Sequence, residues 1–162
     1  MPPESKSRLH KFQPGHTWSE VAKETYKEGA GGGEGGQWCG IDRNTIIGGR
    51  GESAKFSLRY FEIAPGGNSS LEKHNHEHVV IGVRGKGRAV VEDCVHDMEP
   101  LDVLYIAPGT PHQLVNPHSE PFGFFCIVDA ERDRPRPLEK ADIERLESSE
   151  AKGKYIGYVE GD

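Results

Sequence analysis

From residue 55 to residue 129 the chain is a succession of short apolar or alternating runs, at 55–64, 71–74, 78–84, 87–92, 101–106, 112–115 and 122–129. Turn-forming segments such as "APGGNSS", "GKG", "APGTP" and "VNPHSEP" separate them. Runs this short cannot form long helices, and nothing between them is long enough for the crossover that parallel strands require. The pattern predicts an antiparallel all-β sandwich or barrel.

The flanks read differently. In residues 1–50, "TWSEVAKETYKE" predicts a short helix, and the run "GAGGGEGG" after it predicts a flexible loop. That loop lacks the Gly-Lys-Ser/Thr of a phosphate loop. Residues 51–130 are the expected barrel. Residues 131–162 open on "RDRPRP", where prolines stop strand pairing. Leu138, Ala141, Ile143 and Leu146 then make a rough helical stripe, and "YIGYVEGD" either adds a strand or packs an aromatic pair on the barrel or on a second subunit.

A length of 162 residues suits one domain. The net charge of -6 offers no basic field for nucleic acid. No apolar run approaches a membrane span. "MPPESKSRLHKFQPGH" carries no secretory apolar segment, so a cytoplasmic location is expected. Cys39, Cys94 and Cys126 are too widely spaced for a cysteine zinc site or a disulfide scaffold and read as buried thiols.

"LEKHNHEH" places Glu72, His74, His76 and His78 at alternate positions, on one face if the strand is unbroken. That face is either solvent-exposed, with decorative histidines, or turned inward, where imidazoles need hydrogen bonds or a cation. Further on, "LDVLYIAPGTPHQLVN" has Gly109, His112 and Asn116 at the spacing Gly, two residues, His, three residues, Asn.

With these two segments the chain resembles the cupin superfamily over roughly residues 55–129. That resemblance implies a jelly-roll β-barrel with an irregular N-terminal arm and a short C-terminal helix. Leu101 and Ala107 stand where the second family segment usually has glycine and proline. In the ungapped register the resemblance implies Glu72, His74, His78 and His112 as ligands of one divalent transition metal: iron, manganese, nickel, cobalt, copper or zinc. His76 is the alternate ligand. Arg59, Tyr60, Gln113 and Asn116 are supporting candidates, with Arg59 and Tyr60 on opposite faces of their strand.

The implied function is that of a mononuclear metal dioxygenase acting on a small oxygen-rich acid, phenol or diketone. The alternatives are a non-catalytic small-molecule-binding barrel and a metal-dependent isomerase or lyase. A homodimer is expected, with Trp38 and Ile41 at its interface or in a lid. Metal occupancy is expected to fall as pH drops through the ordinary imidazole range near ~6.5.

Overall fold

The computed structural model describes residues 7–27, 32–33 and 36–156. Thirteen strands run in order: β1 (Phe12–Gln13), β2 (Thr17–Trp18), β3 (Glu24–Thr25), β4 (Gly32–Gly33), β5 (Gly36–Gln37), β6 (Cys39–Ile47), β7 (Phe56–Asn68), β8 (His78–Arg84), β9 (Gly87–Val91), β10 (Cys94–Met98), β11 (Val103–Ile106), β12 (His112–Val115) and β13 (Phe122–Asp129). Among the described residues one helix follows, α1 (Lys140–Glu147).

The main sheet has the order β10-β9-β12-β7-β13-β8-β11, with β6 also on β7 and β3 on β6. Every pairing is antiparallel. The sheet curls because β7 serves two parts of it. Its first half lies between β13 and β6, with Tyr60 opposite Phe125 and Asn44, and its last residue, Asn68, meets Val115 of β12. Between these halves the chain bends at Pro65-Gly66-Gly67. Gly66 takes φ +79°, a conformation in which a side chain is strained. The Gly66 amide donates to the Asn116 carbonyl (2.9 Å) and the Asn116 amide to the Gly67 carbonyl (3.0 Å), which pins the bend to the end of β12.

The strands bury different residues on their two faces. Phe61, Ile63, Val80, Phe122, Phe124, Cys126 and Val128 form the interior, with Ile41 of β6 among them. Tyr60 faces outward into a second cluster with Trp18 and Phe125; its ring centre lies 4.9 Å from that of Trp18. A third cluster docks Leu138, Ile143 and Leu146 around α1 against Leu71 and Val90. Lys73 anchors the helix through Asp142 (2.8 Å), and the Glu139 amide donates to that same carboxylate (2.8 Å).

Several sequence expectations are corrected here. Residues 17–28 give no helix in their described part: Trp18 is held on Tyr60 and Phe125, Glu20 takes φ +65°, and Glu24 lies in β3 paired with β6. Tertiary contacts override a weak helical propensity. Residues 39–47 are a nine-residue strand of the main sheet. Ile41 is therefore core, and Trp38 packs beside Tyr26 (5.8 Å) against that core, so neither belongs to an exposed lid. Residues 71–74 contribute only the isolated bridge Glu72–His112 and a second bridge at Lys73. Residues 94–98 form a strand that the run pattern does not predict. In the C-terminal stripe Ala141 is exposed. Of the three thiols only Cys126 is buried. The terminal segment "YIGYVEGD" falls largely outside the described residues.

Candidate metal centre and cavity

Glu72, His74, His76, His78 and His112 are all buried and line one cavity of about 1070 Å³. Three short pieces of chain bring them there. Glu72 and His112 exchange backbone hydrogen bonds (3.2 and 3.0 Å), so the loop before β8 is stitched to the start of β12. The Gly109 amide holds the His74 carbonyl at 2.7 Å. His78 begins β8 and pairs with Val128 and Ile106.

His74 sits at the centre. The rings of His78 and His112 lie 4.4 and 4.8 Å from it, centre to centre, and His76 stacks on it at 3.6 Å. Among the described residues two groups have ligand atoms within 4.8 Å of one another and could hold a metal ion: His74, His76 and His78; and Glu72, His74 and His112. Of the two faces the sequence left open for the histidine stretch, the fold produces the inward one, and Glu72 and His76 both line the same cavity.

The hydrogen bonds orient the rings. His74 Nδ1 donates to the His76 carbonyl (2.8 Å) and His112 Nδ1 to the Thr110 carbonyl (2.8 Å). His76 Nδ1 faces Asp133 Oδ1 (2.8 Å), and His78 Nδ1 faces Cys126 Sγ (2.9 Å). With Nδ1 so engaged, Nε2 is the atom left to present a lone pair. The Nε2 atoms of His74 and His78 approach to 2.6 Å. Two ring nitrogens that close need a proton or a cation between them.

Burial makes the proton costly. Desolvation, reinforced by His112 and His76, lowers the His74 pKa to about 4. Desolvation also pushes His78 and His112 down from the ordinary imidazole value. A cluster of neutral imidazoles beside a carboxylate, with no thiolate engaged as a metal ligand, fits a divalent transition metal.

Glu72 has two other partners: its Oε2 accepts from Ser70 Oγ (2.7 Å) and from the Lys27 ammonium. Tyr26 contributes a hydroxyl 3.2 Å from Ser70 Oγ, and burial raises its pKa. Asp133 closes the loop from outside. Its carboxylate accepts the amides of Asn75 (2.8 Å) and His76 (3.1 Å) as well as the His76 ring, and the Asn75 amide is the main reason its pKa falls to about 2. Lys27, Tyr26 and Asp133 were not anticipated. They come from the two flanks, and no local motif marks them.

The supporting candidates separate. Arg59 faces inward and lines the cavity beside Phe61 and Cys126. Tyr60 faces outward, its hydroxyl donating to Glu62 (2.8 Å). Gln113 points away from His112 and ties the chain end, donating to the Ser69 carbonyl (2.9 Å) and accepting from the Ile156 amide (2.8 Å). Asn116 donates to the carbonyls of Ile63 (2.9 Å) and Glu120 (2.7 Å). Tyr60, Gln113 and Asn116 thus serve the fold and do not border the cavity.

A curled antiparallel sheet with inward histidines from two separated segments defines a cupin barrel. The cupin domain family matches residues 59–128. The chain is also 35% identical over 151 residues to a curated protein of Rhodospirillum rubrum, covering 93% of this chain and 92% of that one; it carries the name 1-methylthio-D-xylulose 5-phosphate methylsulfurylase. The chain belongs to the cupin domain family. Among solved structures, a cupin-2 domain protein from Rhodospirillum rubrum superposes with TM-score 0.73 at 35% identity, covering 89% of this chain and 93% of that chain. A cupin 2 conserved barrel domain protein from Rhodopseudomonas palustris does so with TM-score 0.81 at 30% identity, covering 93% of this chain and 100% of that chain. Among the described residues no helix is long and apolar enough to cross a membrane.

Proposed function

We propose that this protein is a metal-dependent enzyme acting on a small phosphorylated ketose that carries a thioether next to its carbonyl. The observation that carries the reading is the ring of buried imidazoles around His74 at the wall of the cavity. The substrate class follows the likeness, over nearly the full length of both chains, to a protein named for 1-methylthio-D-xylulose 5-phosphate. For this reason we favour it over the dioxygenase expected from the sequence.

In this reading His74, His78 and His112 hold the metal with Glu72, and His76 is the alternate to Glu72. A bound divalent cation supplies Lewis acidity toward a carbonyl oxygen. The chain supplies the rest. Burial keeps the imidazoles neutral, and the carbonyls of His76 and Thr110 keep two of them in the tautomer that ligation needs. Lys27 and Ser70 hold one oxygen of Glu72 in place. Attack of an acceptor thiol on the methylthio sulfur would form an S–S bond and break the C–S bond, the thiol serving as reductant, with the electron pair left on the carbon beside the carbonyl, as an enolate that then takes a proton. The Tyr26 hydroxyl, kept protonated by burial, is a donor on the adjoining wall.

The test begins with elemental analysis of tag-free protein, wild type beside His112→Ala; about one metal per chain, lost in the variant, is expected. Metal-loaded wild type is then given 1-methylthio-D-xylulose 5-phosphate, with mass spectrometry of the products and an oxygen electrode in parallel. Loss of the methylthio group without oxygen uptake supports the proposal. Oxygen uptake with an acid, phenol or diketone returns the dioxygenase reading, and an unaltered isomer mass points to an isomerase. A ligand recovered unchanged from metal-free protein makes this a binding barrel.

A further inference from the structure

The cavity wall is more basic than the chain as a whole, which carries a net charge of -6. Its acids are Glu24, Glu72 and Asp133, and its bases are Lys27, Arg43, Arg59, Arg132 and Arg134. Each acid is already engaged. Glu24 Oε2 accepts from Arg43 Nε (3.1 Å) and Nη2 (2.9 Å), Glu72 takes Lys27, and Asp133 takes His76 and two backbone amides. Among the described residues Arg59, Arg132 and Arg134 have no carboxylate partner. Unpaired positive charge gathered on one concave wall favours an anionic ligand.

Arg59 is the sharpest case. Its guanidinium lies over the Phe61 ring, 4.9 Å from the centre, and Nη2 reaches Cys126 Sγ at 3.6 Å. Its Nε is buried without a hydrogen-bond partner. A buried donor left unmade is unfavourable, and the flat guanidinium fork is suited to the paired oxygens of a phosphate. Arg132 is tethered by Nη1 to the Asp129 carbonyl (2.9 Å). Desolvation lowers its pKa, and the positive charges of Arg59 and Arg43 lower it further; of these two, Arg59 has no carboxylate partner while Arg43 is held by Glu24. Cys126 lies between this wall and the imidazoles, with Sγ 2.9 Å from His78 Nδ1, and Arg59, Arg132 and the histidines border the same cavity.

We propose that Arg59 and Arg132 form a subsite for the dianionic phosphomonoester end of the substrate, with Arg134 at its rim. The proposal rests on the sugar-phosphate reading above and names the residues that select for the phosphate.

The experiment is calorimetric titration of D-xylulose 5-phosphate and of D-xylulose into wild type, Arg59→Met and Arg132→Gln, each metal-free and metal-loaded. Wild type is expected to bind the phosphate ester at least about tenfold more tightly than the free sugar, with or without metal. Each variant is expected to lose most of that preference while its metal content and its affinity for D-xylulose stay unchanged. Arg132 is exposed and held only by backbone contacts, so Arg132→Gln is informative even where Arg59→Met fails to fold. No preference in wild type, or an unchanged preference in Arg132→Gln, overturns the subsite. Phosphate preference without methylthio turnover leaves the subsite standing and removes the proposed reaction. Turnover with an unaltered KM in Arg132→Gln does the reverse.

Discussion

Replacing Leu101 with glycine should stabilise the protein, although the change deletes a large apolar side chain. Residues Glu99 to Asp102 form a tight turn closed by the Asp102 amide on the Glu99 carbonyl (3.1 Å), with Pro100 second and Leu101 third at φ +74°. That third place, in the turn type with a positive φ there, favours glycine. Holding an L-residue in the left-handed region costs roughly 1–2 kcal/mol. Leu101 is 85% exposed, so truncating it loses little burial. Glycine gives back about 0.5–1 kcal/mol through its freer unfolded chain. The net gain over Leu101→Ala, which keeps the Cβ and its strain, is about 0.5–1 kcal/mol, or roughly 2–3 °C in Tm for a domain of this size. Urea unfolding of wild type, Leu101→Ala and Leu101→Gly measures it. At an unstrained site glycine would be the less stable of the two variants, so a Leu101→Gly protein weaker than Leu101→Ala refutes the reasoning.

Two further outcomes follow from the site. In Asp133→Ala the amides of Asn75 and His76 and the His76 ring lose their shared acceptor, and metal affinity should fall about tenfold by competition with a chromogenic chelator. Asp133 titrates below the usual carboxylate range, so the stability it adds is present above about pH 4 and disappears as pH falls toward 2; acid titrations of wild type and variant should converge there. The histidines act with the opposite charge sense. The folded pKa values of His74, His78 and His112 lie below the unfolded value of about 6.5, so the metal-free protein should hold constant stability above that pH and lose it on acidification toward pH 4. Proton competition with metal should correspondingly begin nearer pH 4 than the 6.5 expected for free imidazole, and an occupancy midpoint at 6.5 would contradict the burial argument.

Much of the barrel was legible because strand periodicity is local. The runs at 78–84, 87–92, 112–115 and 122–129 are strands within a residue or two of their predicted bounds. Residues 39–47 were missed because "DRNT" breaks the apolar alternation. Arg43 is tolerated there only because Glu24, from the distant arm, neutralises it. Ile41, Thr45, Ile46 and Ile47 are the β-branched signal that was available. Leu101 shows the converse. The departure from the family's glycine was visible in the sequence, but the strained backbone it implies required the turn itself.

The sequence by itself determined which residues alternate and which side chains carry imidazole, since both depend only on neighbours along the chain. Tertiary structure alone decided which face is inside. Arg59 lines the cavity while Tyr60 is outside because β7 curls toward β13 and the Trp18 segment covers the other side. It also decided who joins the histidines. Lys27, Cys126 and Asp133 reach them across separations of 45, 48 and 57 residues from Glu72, His78 and His76. No local period encodes such contacts, because burial and charge pairing are satisfied only when the sheet has closed.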